Sequence, residues 1–316
     1  MNRKNGKVAG KLYDVTVVGG GVAGLAAAMT AGRLGLQVLL LEETVFGGSV
    51  AVIERLEGYP GIEATGGWEF TQIMVKQAEA AGCLLRESIK VSGVRPQTNS
   101  QFAILCSGKE RFQSRSVIVC SGGSPRALGL QEEERFARRG IHTCAQCAGG
   151  RYKGQDVAVA GNGSFAARAA RHLLELGCRV FFITGDAQIS ADVQLVKELE
   201  SRNGLDFMGR THVTALLGDD FLQAVEVADL ASGGTRKLAV AALFVFRSLV
   251  PNSELVEARR DAGGFLTVDT NGMTSLPGVF GAGRVVRPDL PVEVMVGDGC
   301  RSAIAAAAWL RKRVEP

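Results

Sequence analysis

Two cysteines three positions apart, in Cys144-Ala145-Gln146-Cys147, are the residues of this chain best suited to chemistry. Thiols at that spacing close a small reversible disulfide and so hold one electron pair. A position at or near a helix N-terminus favours the reactive thiolate, as do nearby cations, here Arg138, Arg139 and Lys153. Two other readings stand beside the redox dithiol. Half of a zinc site needs two more ligands, but the histidines are His142, His172 and His212, and no second C-x-x-C exists. The remaining reading is an inert buried pair.

Glycines supply the second chemical signal. Gly19, Gly21 and Gly24 form G-x-G-x-x-G between an apolar strand (13–18) and an alanine-rich helix (23–34). In such a turn the first glycine makes the bend, the second admits a pyrophosphate to the backbone, and the third lets helix and strand pack. The helix N-terminus then offers N–H groups to the phosphates. Glu42, at the end of the next strand (37–41), stands where a carboxylate accepts hydrogen bonds from an adenosine ribose. A merely tight strand-to-helix turn is the alternative. A second fingerprint, Gly161, Gly163 and Ala166, follows strand 156–160 and opens helix 165–176, where His172 reads as an ordinary surface or satisfied histidine. The next strand (179–183) runs into Thr184-Gly185-Asp186. The 2′-phosphate of NADPH calls for arginines there, because guanidinium pairs bidentately with phosphate. None occurs before Arg202, and Asp186 repels a 2′-phosphate and at best holds a ribose hydroxyl. This turn therefore reads as able to hold a dinucleotide diphosphate, but not as an NADPH site.

The elements that must position these groups repeat a strand–turn–helix–strand pattern. Helical spacing recurs over 68–82, and 84–120 reads as short strands. A further run of strand-like segments ends near Phe246, and an alanine-rich helix closes the chain over 302–311. The fold class is α/β, with two Rossmann-like dinucleotide-binding domains, the second inserted into the first. The first is discontinuous, 13–121 and 251–316; the inserted domain, 122–250, carries the C-x-x-C. The basic, polar residues 1–12 read as a disordered tail and not a signal peptide.

Composition bounds the rest. The chain has 316 residues, room for two ordinary cores, and 46% hydrophobic with 22% charged residues marks a globular protein. A net charge of +4 is too weak to argue for nucleic acid but suits an acidic protein partner. No apolar run is long enough to span a membrane. Cys83, Cys106, Cys120, Cys178 and Cys300 read as small buried hydrophobes in a reducing cytoplasm.

Six motifs in order carry a family resemblance: GGGVAGLAAA, FGGSVAVIERLEGYPG, VCSGGSP, GIHTCAQCAGGRYKGQDVAVAGNGSFAARAA, FVFRSLVPNSEL, and TSLPGVFGAGR followed by GDGC. Over nearly its whole length the chain resembles the low-molecular-weight thioredoxin reductase family. The resemblance implies a homodimer with FAD in the discontinuous domain, and a domain rotation that alternates the dithiol between flavin and protein substrate. By position it implies that Gly19, Gly21, Gly24 and Glu42 hold the adenosine diphosphate part of FAD. Gly47, Gly48 and Ser49 would lie near the isoalloxazine, and Gly283 near the ribityl diphosphate. Cys147 would face the flavin, and Cys144 would attack the disulfide of a thioredoxin-like partner.

The chain also departs from the family pattern. Ala148 stands where the family carries a proton-donating Asp after the second cysteine. The NADPH-binding cationic cluster maps onto Thr184-Gly185-Asp186 and Ser190, with every cation lost. The family's G-D becomes Gly283-Arg284, and its R-Q-A becomes Leu290-Pro291-Val292. These losses resemble the branch of the family that dispenses with pyridine nucleotide, taking electrons from ferredoxin or carrying an additional flavin. A second FAD on Gly161 and Gly163 is one form of that expectation. A dithiol oxidase that passes electrons through FAD to oxygen, and a non-catalytic flavin redox sensor, are the rival functions.

Overall fold

In the computed structural model, residues 11–313 are described except 54, 57, 109, 248 and 289. Most of the expected N-terminal tail therefore lies outside the described residues, although Leu12 already belongs to the first strand. The chain divides into two compact units, one of Met1–Ser124 with Val250–Pro316 and one of Pro125–Leu249.

The first unit starts with β1 (Leu12–Val18), α1 (Val22–Arg33), β2 (Val38–Leu41), α2 (Gly67–Ala80), β3 (Leu84–Arg86), β4 (Val91–Pro96), β5 (Phe102–Cys106) and β6 (Arg111–Val119). Its sheet runs β3-β2-β1-β6-β5-β4. β3, β2, β1 and β6 are parallel, and β4 and β5 add an antiparallel edge. The sequence of β2, VLLL, is buried throughout, as a parallel strand covered on both faces requires. Alternation then sorts the strands: Val15, Val17, Val38 and Leu40 enter one apolar cluster, and Tyr13, Leu39 and Leu41 the other.

β7 (Gly123–Pro125) leads into the second unit. There follow α3 (Glu133–Phe136), β8 (Ile141–His142), α4 (Ala145–Ala148), β9 (Asp156–Gly161), α5 (Gly163–Glu175), β10 (Arg179–Ile183), α6 (Val193–Glu200), β11 (Leu205–Met208), β12 (Thr211–Gly218), β13 (Leu222–Asp229), β14 (Thr235–Ala239) and β15 (Ala242–Phe246). A parallel sheet, β11-β10-β9-β15-β8, forms the centre, and β12-β13-β14 is a separate antiparallel sheet. Val157 and Val159 face the cluster that holds α4 and α5. Ala158 and Ala160 face the cluster that holds β12 to β14.

β16 (Leu249–Pro251) pairs with β7, and the chain re-enters the first unit through β17 (Val279–Gly281) and α7 (Val292–Arg311). β17 runs parallel to the last residues of β6, whose first residues pair with β5. Burial along β6 accordingly changes from alternating to continuous.

Two elements correct the sequence reading. Residues 193–200, read within a run of strands, are helical. The Asp192 carboxylate accepts the N–H groups of Gln194 (2.9 Å) and Leu195 (3.3 Å), and Leu195 and Leu199 bury one face at helical spacing. The last helix starts at Val292, not at Ser302. Gly297 and Gly299 obscure its first half, yet Gly299 is required there: a Cβ would lie 2.1 Å from the Ala23 carbonyl of α1.

Both units thus have the dinucleotide-binding α/β architecture, each with a glycine turn between a central parallel strand and the following helix, β1 to α1 and β9 to α5.

Candidate active site

The glycine turn of the first unit is built by close backbone contacts. Gly19 has φ +103°, and a Cβ there would fall 2.3 Å from the Cys120 carbonyl oxygen. At Gly24 it would fall 1.8 Å from the Gly19 carbonyl, so these two glycines let β1, α1 and β6 meet. Gly21 differs: a Cβ on it meets nothing within 4 Å, and as N-cap of α1 it leaves the helix without a side-chain cap. Open space thus lies in front of uncapped N–H groups, the arrangement that receives a phosphate.

The other expected residues of this unit gather around the same turn. Glu42 accepts the Gly20 N–H at 2.7 Å and the Thr44 N–H and hydroxyl at 2.9 and 3.0 Å. The Gly47 N–H donates to the Gly20 carbonyl at 2.8 Å, and Gly48 passes so close to Gly21 that a Cβ would be 3.1 Å from its Cα. Gly283 packs on the first turn of α1, its notional Cβ 2.9 Å from that of Ala23. The exposed Ser49 hydroxyl accepts a hydrogen bond from Arg284 at 3.1 Å, so a guanidinium bridges to the Gly47–Ser49 loop where the resemblance leads one to expect a carboxylate. Leu290 is buried, and Pro291 is the N-cap of α7. FAD fits these residues on one local observation: the open face at Gly21, with Glu42 at the adjoining strand end.

In the second unit Cys144 and Cys147 form a disulfide. Cys144 is the N-cap of α4, and its sulfur accepts the Cys147 N–H at 3.2 Å. α4 is a single turn, so its dipole is small. Cys144 is half-buried and Cys147 exposed. Ala148 is buried in the apolar cluster with Ala145 and α5, which leaves no acid at that place. Beside the dithiol in sequence, His142 Nε2 lies 2.8 Å from the Tyr152 hydroxyl, and both rings contact Phe244. Burial, aided by the Arg151 charge, holds the His142 imidazole below its ordinary range. Cys83, Cys106, Cys120 and Cys178 are buried, whereas Cys300 is half-buried and accepts the Thr30 hydroxyl at 3.3 Å. Burial pushes the Cys83 and Cys106 thiols up to about 11. It raises the Cys120 thiol further, with the Asp298 charge adding to the effect.

The second glycine turn has a different finish. Gly161 has φ +148° and packs on the Phe246 carbonyl; Gly163 has φ +87°. Asn162 between them is the N-cap of α5 and makes four hydrogen bonds, to Gly163, Ser190, Asp186 and Gln188. Sequence reading passed over Asn162, although an Asn immediately before a helix is itself a capping signal. Arg202, the first arginine after β10 in sequence, is paired with Glu198 at 2.7 Å and Glu175 at 3.3 Å.

Residues 13–308 match the family described as pyridine nucleotide-disulphide oxidoreductase. The chain is 32% identical over 302 residues to the thioredoxin reductase of Treponema pallidum (strain Nichols), covering 94% of this chain and 97% of that one. It is 31% identical over 308 residues to the thioredoxin reductase of Mycolicibacterium smegmatis, covering 96% and 98%. Among solved structures it is similar to Lactococcus lactis thioredoxin reductase in the FR conformation, with a TM-score of 0.88 and 27% identity over 95% of this chain and 99% of that chain.

Proposed function

We propose that this chain, which belongs to the low-molecular-weight thioredoxin reductase family, reduces a thioredoxin-like disulfide through Cys144 and Cys147 with electrons that do not come from NADPH. Its relatives are flavin-dependent disulfide oxidoreductases, and the chain is an enzyme of that kind. One observation carries the finer reading. At the end of β10, where a 2′-phosphate needs guanidinium, an exposed Asp186 carboxylate takes a 2.6 Å hydrogen bond from Asn162. A one-electron protein donor of acidic ferredoxin type is compatible with a mildly basic chain.

FAD, when bound, supplies a two-electron reservoir. Gly19, Gly21 and Gly24 with the N-terminus of α1 hold its diphosphate in this reading, and Glu42 its ribose. Gly47, Gly48, Ser49 and Gly283 line the rest of the flavin. With the dithiol reduced, the Cys144 thiolate attacks one sulfur of the partner disulfide and releases the other as a thiolate. The Cys147 thiolate then attacks the Cys144 sulfur, closing the internal disulfide and freeing the second partner thiol. Two electrons and, after protonation, two protons pass to the partner. Ala148 cannot donate them, so solvent water protonates the two thiolates released on the partner. A homodimer is part of the proposal, by analogy with the family.

The test is an anaerobic spectrum of the FAD-loaded protein, exposed in turn to NADPH and to reduced ferredoxin. Bleaching by ferredoxin alone is the expected result; rapid bleaching by NADPH overturns the donor assignment.

A further inference from the structure

We infer that the glycine turn of the second unit is closed by its own Asn162 and takes no dinucleotide, leaving that unit to carry the dithiol alone. This rests on the flavin–dithiol reading above and narrows it, since it excludes a second flavin there as well as a nicotinamide nucleotide.

A carboxamide has two donor hydrogens and two acceptor positions. Asn162 engages all four. Its Oδ1 accepts the N–H groups of Gly163 at 2.8 Å and Ser190 at 2.7 Å. Its Nδ2 donates to Asp186 Oδ2 at 2.6 Å and to the Gln188 carbonyl at 3.3 Å. Residues 186–190 are therefore latched onto the first turn of α5. The Ser190 carbonyl lies 3.8 Å from where a Gly163 side chain would begin. A diphosphate needs the Gly163 N–H and that space.

The first unit provides the contrast within one molecule. The residue between its first two glycines is Gly20, which has no side chain; Glu42 takes its N–H from the strand end, while Gly21 keeps its open face and the helix N-terminus carries no side-chain cap. At the matching place in the second turn, the Asn162 carboxamide oxygen takes the first helical amide, Gly163, in place of the second or third amide that a side-chain cap usually takes, and joins it to the Ser190 N–H. The spacing of glycines is shared; the residue between them decides which turn is open.

The inference is tested on the FAD-loaded protein. Flavin released by heat would be counted per chain. NADPH, NADH and ADP-ribose would be titrated calorimetrically up to about 1 mM, the weak end of ordinary enzyme affinities. One flavin per chain and no saturable uptake are expected. Amide hydrogen exchange reads the latch directly: Asn162→Ala should speed exchange at Gly163 and Ser190 by about tenfold or more. Asp186→Ala, a change at an exposed side chain, should speed Ser190 by a smaller factor. Unchanged exchange in both variants overturns the latch. So does a second flavin, or a probe whose uptake slows exchange at Gly163; either would leave FAD in the first unit untouched. Protein that takes up no FAD at all defeats the flavin reading instead, and the exchange measurement still decides the latch.

Discussion

Replacing Gly21 with alanine separates what the first glycine turn does for binding from what it does for folding. Gly21 has φ −69° and ψ −180°, a conformation open to any residue, and a Cβ there meets nothing within 4 Å. Restricting the unfolded chain stabilises by roughly 0.4–1 kcal/mol. Against that stands the loss of the glycine N-cap preference, worth about 1 kcal/mol or less. The fold should therefore change little. The same methyl occupies the approach to the helix N-terminus. Displacing one charge-assisted hydrogen bond, at about 1.5–3 kcal/mol, weakens FAD binding by a factor of roughly ten to 150, and displacing two by roughly 150 to 10⁴. Gly24→Ala should behave in the opposite way. Its Cβ would fall 1.8 Å from the Gly19 carbonyl oxygen, so backbone must move, at a cost of about 1–3 kcal/mol or more typical of overpacking. Urea unfolding of the FAD-stripped proteins measures the first quantity, and quenching of flavin fluorescence the second. Wild-type FAD affinity in Gly21→Ala would refute the reasoning, as would a larger loss of apo stability there than in Gly24→Ala.

Other outcomes follow from the second unit and the buried thiols. Cys144→Ser should keep FAD and lose exchange with a thioredoxin-like disulfide, whereas Cys147→Ser should accumulate a mixed disulfide on non-reducing gels; the reverse pattern would exchange their roles. Brief alkylation of the reduced protein near neutral pH should modify Cys144 and Cys147 before Cys83 and Cys106, whose thiols burial pushes up to about 11. Mass spectra with early adducts on those two would contradict their burial. The depressed His142 gives a pH signature. Its unfolded form takes up a proton first as pH falls through about 6.5, so its contribution to stability is complete above that value and is lost on further acidification. His142→Phe should flatten the fall in denaturation midpoint between about pH 7 and 5, and an unaltered slope would count against the assignment.

Features that depend on neighbours in the chain were readable from residues alone. The two G-x-G-x-x-[GA] turns, the C-x-x-C and the flanking strands and helices are local patterns of conformational freedom, thiol spacing and apolar period. The α/β class follows from them. The misreadings also have local causes. Asp192, Leu195 and Leu199 signal a helix, but β-branched and apolar neighbours obscure it, and two glycines hide the first half of the last helix.

Contacts between distant segments were settled only by folding. Nothing near Gly299 in sequence announces that Ala23 lies against it. Arg284 reads as a lost carboxylate until its hydrogen bond to Ser49, 235 residues away, puts a guanidinium there. Asn162 and Asp186 are each ordinary polar residues; joined across 24 positions, they give the second turn an occupant of its own. Spacing along a chain sets which shapes the backbone can take, because torsional freedom belongs to each residue. Whether a turn stays open depends on which remote side chain reaches it, and that is a property of packing in three dimensions.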